Sequence, residues 1–103
     1  MSIHVQNRLD HLADTEQRAA SEFAERLRDQ LDEPVNSIVL FGSRARGEAT
    51  PDSDMDLMVV VPHATLATRR AVRYLAVEVW LKYGIYLSTR VWSQEHWQKL
   101  ATL

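Results

Sequence analysis

Asp54 and Asp56 stand two residues apart at the head of an apolar run, Leu57-Met58-Val59-Val60-Val61. They follow, after ten residues, a Gly42-Ser43 pair that closes a second run, Ser37-Ile38-Val39-Leu40-Phe41. In an extended strand, alternate side chains project to the same side about 6–7 Å apart. Both carboxylates can therefore serve one divalent cation while Met55 and Leu57 pack the other way. Two carboxylates so placed repel unless a cation lies between them. Mg²⁺ suits such hard oxygen donors and leaves its remaining octahedral positions to water and phosphate. Gly42 and Ser43 can offer backbone N–H groups and a hydroxyl to a phosphate, glycine permitting close approach, and Arg44 or Arg46 can offset phosphate charge. The expected chemistry is metal-assisted work on a phosphate, with Asp54 and Asp56 as its ligands.

Simpler phosphate and metal motifs do not account for this stretch. Gly42 and Gly47 have the spacing of a P-loop, but Glu48 and Ala49 stand where its Lys and Ser/Thr belong. Asp52, Asp54 and Asp56 imitate the start of a calcium loop, yet Leu57 and His63 occupy the positions of the required glycine and bidentate glutamate. No Gly-x-Ser-x-Gly elbow surrounds Ser43, so it is not read as a hydrolase nucleophile. Asp52-Ser53-Asp54 taken alone would be ordinary turn chemistry. The upstream Gly-Ser pair at its fixed distance favours a metal site instead. His4, His11, His63 and His96 form no ligand motif.

The elements that must position these residues follow from periodicity. Ala20, Phe23, Ala24, Leu27 and Leu31 predict an amphipathic helix from about Thr15 to Leu31, with Asp14 or Thr15 as cap and Pro34 beyond its end. Ser37–Phe41 and Asp54–Val61 read as strands, and Arg44–Gly47 as a single helical turn between them. A helix from about Ala64 to Lys82 is expected to bury Leu66, Val72, Leu75, Ala76 and Val79, to leave Arg69, Arg70 and Arg73 in solvent, and to end at Gly84. Ile85–Trp92 reads as a third strand, and Ser93 as the cap of a final helix to about Leu100. Trp80, Trp92 and Trp97 are assigned to packing. The fold class is α/β (α+β): a small mixed sheet with helices mainly on one face, since ten or so residues between the first two strands allow either direction.

Composition bounds the rest. The 103 residues, 46% hydrophobic and 25% charged, suit one domain over 1–103. A net charge of −2 provides no global field for nucleic acid, which is not expected as a partner. The absence of cysteine excludes thiolate catalysis and sulfur-based zinc sites. No run approaches the length of a membrane span and no signal peptide is evident, so a cytoplasmic location is expected.

Gly42-Ser43, the ten-residue interval, Asp54-x-Asp56 and Arg46-Gly47 in the turn together resemble the minimal nucleotidyltransferase group of the DNA polymerase beta-like superfamily, over about 35–92. The resemblance implies the polymerase beta-like fold and one or two Mg²⁺ held by Asp54 and Asp56. It implies nucleotide binding at Gly42, Ser43, Arg44 and Arg46, and transfer of a nucleoside monophosphate from a triphosphate, ATP above all, to a hydroxyl. It further implies a HEPN-domain protein partner, often toxin to an antitoxin of this type, in a homo- or hetero-oligomer. Active members of the group add a third carboxylate from the strand after the second helix. Here that strand reads Ile85-Tyr86-Leu87-Ser88-Thr89-Arg90-Val91-Trp92, and the matching position is Ser88 or a neighbour. Glu78 and Glu95, the only later acids, fall on helices. Two further readings therefore stand beside the enzyme: a catalytically weak or inactive module that acts by binding its partner, and a subunit of a larger transferase.

Overall fold

The amphipathic repeat from Ala19 to Leu27 forms α1 (Asp14–Gln30), which buries Ala19, Ala20, Phe23, Ala24 and Leu27. The computed structural model describes residues 13–42 and 54–102. The predicted helical turn at Arg44–Gly47 lies outside them. Three strands follow α1, with β1 (Ser37–Phe41) pairing antiparallel to β2 (Met55–Val61), and β2 pairing parallel to β3 (Leu87–Ser93). The order β1-β2-β3 leaves β2 central. Between β2 and β3 runs α2 (Leu66–Tyr83), and α3 (Gln94–Ala101) ends the described chain. A mixed sheet with helices mainly on one face is thus the observed architecture.

Alternation along β2 decides what lies where. Met55, Leu57, Val59 and Val61 are buried in one cluster with Ile38, Leu40, Leu87 and Val91 and with the apolar sides of α1 and α2. Asp56, Met58 and Val60 face the opposite side, where Met58 and Val60 are also buried. Near Val60 that face is closed by α3: Trp92 stacks on His96 and Trp97 at ring-centroid distances of 4.6 and 6.1 Å, and Asn36 donates to Gln94 at 2.9 Å.

Several boundaries depart from the sequence expectation for local reasons. Helix α1 begins one residue early, with Ala13 in the cap position and no side-chain cap of its own. The Glu16 carboxylate accepts the Ala13 N–H at 2.9 Å in place of the expected cap by Asp14 or Thr15. Helix α2 cannot start at Ala64, whose φ of +55° is left-handed; Thr65 caps it by accepting the Thr68 N–H at 3.1 Å. Leu66, expected in the core, is 62% exposed, and Thr68 is buried instead. Gly84 ends α2 with φ +72°, and Ser93 caps α3 by accepting from His96 N–H at 3.2 Å, both as expected. Strand β3 begins at Leu87 rather than Ile85, because its pairing starts where β2 starts, at Met55.

Two polar clasps hold the layers. Glu22 of α1 accepts from Lys82 Nζ at 2.7 Å, from the Tyr83 hydroxyl at 2.9 Å and from Arg26, which also pairs with Glu78 at 2.9 Å. The Lys82 hydrogen bond first, and those of Tyr83 and Arg26 after it, hold the Glu22 carboxyl below the usual carboxylate range against the opposing pull of burial. Glu33, buried beneath the β2–α2 turn, accepts the His63 N–H at 2.6 Å, the Thr65 N–H at 3.2 Å and the Thr68 hydroxyl at 2.5 Å. Burial pushes its carboxyl up, but the Thr68 hydrogen bond and those from the His63, Thr65 and Ala64 amides outweigh it, so the net displacement is downward.

Candidate functional site

Antiparallel pairing brings the end of β1 to the beginning of β2: Phe41 lies opposite Asp56, and Gly42 is the next residue of its strand. Gly42 has φ +73°, a conformation that glycine adopts without steric cost. It also lies directly against the acid. A Cβ at Gly42 would collide with Asp56 Oδ2 and fall 3.1 Å from its Cγ and 3.4 Å from its Cβ. The missing side chain is therefore the space that the Asp56 carboxylate fills. Asp56 is half-buried on the sheet face away from α1 and α2, while Asp54 is exposed, one residue ahead of β2. The two are the hard oxygen donors that the sequence pointed to. Of the other proposed residues, Ser43, Arg44 and Arg46 lie outside the described residues.

On the other side of β2, the parallel register sets Ser88 of β3 beside Asp56. Asp56 thus lies on the central strand between a residue without a side chain and a hydroxyl. Ser88 occupies the place considered for a third carboxylate. Glu78 is engaged by Arg26, and Glu95 pairs with Lys99 at 3.2 Å on α3, so neither helix acid takes that place. Among the described residues no group of three or more His, Asp or Glu side chains forms a metal site. The donor pair and the glycine cradle nevertheless fit a divalent cation in kind, because Asp56 is half-buried and Asp54 exposed, and both offer hard carboxylate oxygens.

Arg90 adds a cation to this face that no motif marks. It lies two residues beyond Ser88 on the same face, opposite Met58, and its guanidinium reaches within 5.9 Å of the Phe41 ring centroid. The same alternation that placed Asp56 would have found it, once the β3 register was known. Arg69 is exposed as expected, and it also donates to the Ala64 carbonyl at 3.0 Å and to the Val91 carbonyl at 3.1 Å. Trp80, expected in packing, is 43% exposed and meets Tyr86 edge to face at 5.4 Å.

Residues 20–101 match the family model described as a nucleotidyltransferase domain, a span that holds both acids, Gly42 and all three strands. The chain belongs to the minimal nucleotidyltransferase family. Relatives in Methanocaldococcus jannaschii agree, each carrying the name "putative protein adenylyltransferase". One is 33% identical over 84 residues, covering 82% of this chain and 80% of its own length. A second is 34% identical over 70 residues, covering 65% and 48% respectively, and a third is 30% identical over 74 residues, covering 71% and 75%. No solved structure matches this nucleotidyltransferase domain significantly. Transfer of a nucleotidyl group is the chemistry of its family, and none of the described helices is long and apolar enough to cross a membrane.

Proposed function

We propose that the protein is a Mg²⁺-dependent adenylyltransferase that moves AMP from ATP to a hydroxyl on a partner protein. The partner is a HEPN-domain protein, with this chain as the antitoxin of the pair. The observation that carries the reading is Asp56 seated against the bare Cα of Gly42, with Asp54 close by in sequence, in a family of nucleotidyltransferases. The names of the relatives support protein as the acceptor and AMP as the group transferred.

In the proposed reaction the acceptor oxygen bonds to the α-phosphorus, the bond from that phosphorus to the bridging oxygen breaks, and pyrophosphate leaves with the electron pair. The hydroxyl proton passes to water, because Ser88 beside Asp56 has no carboxylate to receive it. Asp54 and Asp56 are the residues that would hold Mg²⁺, which when bound neutralises their charge and that of the phosphates. Gly42 leaves the Asp56 carboxylate its position, and Ser43, Arg44 and Arg46 are proposed to receive the phosphate chain. Catalysis of this kind rests on positioning and electrostatics rather than on a protein nucleophile.

The test is incubation of the protein and its HEPN-domain partner with ATP and Mg²⁺, read by intact mass. A gain of one AMP on the partner, lost with Asp54→Asn and with Asp56→Asn, is the expected result. No gain with any nucleotide refutes it. Ser88 in place of a third carboxylate favours a second reading, a binding module with little or no transfer activity. That reading holds if both Asn variants still neutralise the partner.

A further inference from the structure

We propose that the free edge of β3 receives an extended, acidic segment of the acceptor protein as a fourth strand, and that this delivers the acceptor side chain to Asp56. The inference rests on the proposed transfer to a protein and names the surface that would recognise it.

Among the described residues no strand pairs with the outer side of β3. The direction of its main-chain groups is set at two points. Tyr86 turns its carbonyl toward β2, accepting from Met55 N–H at 3.0 Å, while Val91 turns its carbonyl outward to Arg69. Alternation then aims the main-chain groups of Leu87 and Thr89 outward as well. Arg69 closes the edge at Val91, so the open stretch is the one that adjoins Ser88 and, across it, Asp56. A strand added there would run about 9–10 Å from β2, two strand spacings, with alternate side chains on the face that carries Asp56. Ser88 is the small residue over which a longer side chain would pass.

Two grooves follow this edge in succession, of about 280 and 180 Å³, and share Arg73 and Thr89. Arg69 and Arg90 line the first; Val77, Tyr86 and Ser88 line the second. The edge is therefore cationic on both flanks, from Arg73 on α2 and Arg90 on the acid face, in a chain whose overall charge is negative. Neither arginine has a carboxylate partner among the described residues. At the second groove Val77 and Tyr86 are exposed, and the exposed Trp80 meets Tyr86 edge to face, the aromatic composition that anchors protein contacts. Charge selects the occupant. A second copy of this chain would set arginines against arginines across a two-fold axis, whereas an acidic segment complements them.

The probe is a short synthetic peptide that alternates Glu and Val around a central Tyr, with a counterpart carrying Lys for Glu. Binding is measured without nucleotide, and amide exchange of Leu87–Val91 is followed. The acidic peptide is expected to bind, to slow exchange at Leu87 and Thr89, and to weaken with added salt. Thr89→Pro removes an outward N–H without breaking the ladder to β2, and Arg73→Glu reverses a flanking charge. Each should lower peptide affinity by about tenfold. Both variants should leave binding of ATP with Mg²⁺ unchanged, so a failure of the docking surface is distinct from a failure of the nucleotide site. Absence of binding, equal binding of the Lys peptide, or binding without protection of Leu87 and Thr89 overturns the proposal. So does a dimer of this chain that Thr89→Pro dissociates, which would assign the edge to self-pairing. Arg73→Glu and the exchange measurement decide the matter even if the proline variant does not fold.

Discussion

Gly42 and Gly84 share a backbone conformation and differ in surroundings, which makes them a matched pair for testing the site. Their φ angles are +73° and +72°; a Cβ at Gly84 meets nothing within 4 Å, whereas one at Gly42 collides with the Asp56 carboxylate. Alanine at either position incurs the left-handed penalty of roughly 1–2 kcal/mol. For a domain of this size that lowers Tm by about 4–8 °C per kcal/mol. Gly84→Ala should show this loss and nothing else. Gly42→Ala must in addition drive Asp56 off its position, and a displacement of the order of 1 Å at a reacting centre costs about 10²-fold in rate. The assay is a thermal melt of both variants beside calorimetry with ATP and Mg²⁺ and the rate of AMP transfer. The expected outcome is similar melting losses, with nucleotide binding and transfer lost in Gly42→Ala alone. If Gly42→Ala binds and transfers as well as Gly84→Ala, the contact between Gly42 and Asp56 has no part in the chemistry and the site assignment fails.

Further predictions come from the neighbours of that contact and from the clasps. Ser88→Asp places a third carboxylate beside Asp56. It should raise the single-turnover rate of AMP transfer by about 10²-fold or more and make the melting temperature depend more steeply on Mg²⁺; an unchanged rate in a folded variant shows that this position does not limit the reaction. Glu33→Gln puts an amide NH₂ among donors that need an acceptor and should cost about 2–4 kcal/mol in urea unfolding at pH 7. Glu22 and Glu33 are both held below the ordinary carboxylate value of 4.5, so their contribution is complete above that pH and is lost as pH falls through their lower folded values. The stability gap between the wild-type protein and Glu33→Gln should therefore narrow on acidification below about pH 4.5, and a gap independent of pH between 3 and 7 would contradict the assigned hydrogen bonds.

Much of this was legible from local patterns. The strand Ser37–Phe41, the alternation of β2, Gly84 as a left-handed stop and Ser93 as a cap each depend on a few adjacent residues, and local chemistry settles them. The remainder depends on partners distant in sequence. Glu33 could not be picked out because its partners lie 30 or more residues away, at His63, Thr65 and Thr68. Periodicity put Leu66 on an apolar side, but the left-handed Ala64 shifts the helix start and leaves it in water. The exposure of Trp80 and the carbonyl contacts of Arg69 have a related cause: what each touches is set by where β3 and the Tyr86 segment come to rest. At the site itself, the acid pair and the glycine were visible as types and spacing. The register that sets Phe41 and Ser88 on either side of Asp56 was not, because the interval between β1 and β2 permits either strand direction.

The alternation along β2 assigns cohesion to one side of the sheet and reactivity to the other. Met55, Leu57, Val59 and Val61 keep the helices in place whatever happens at Asp56 or Ser88. A lineage can therefore alter the chemistry by exchanging one or two side chains on the side of Asp56, while the scaffold goes on folding. Live and retired copies of such a protein would be hard to tell apart by shape, and distinguishable by the residue that faces the second aspartate.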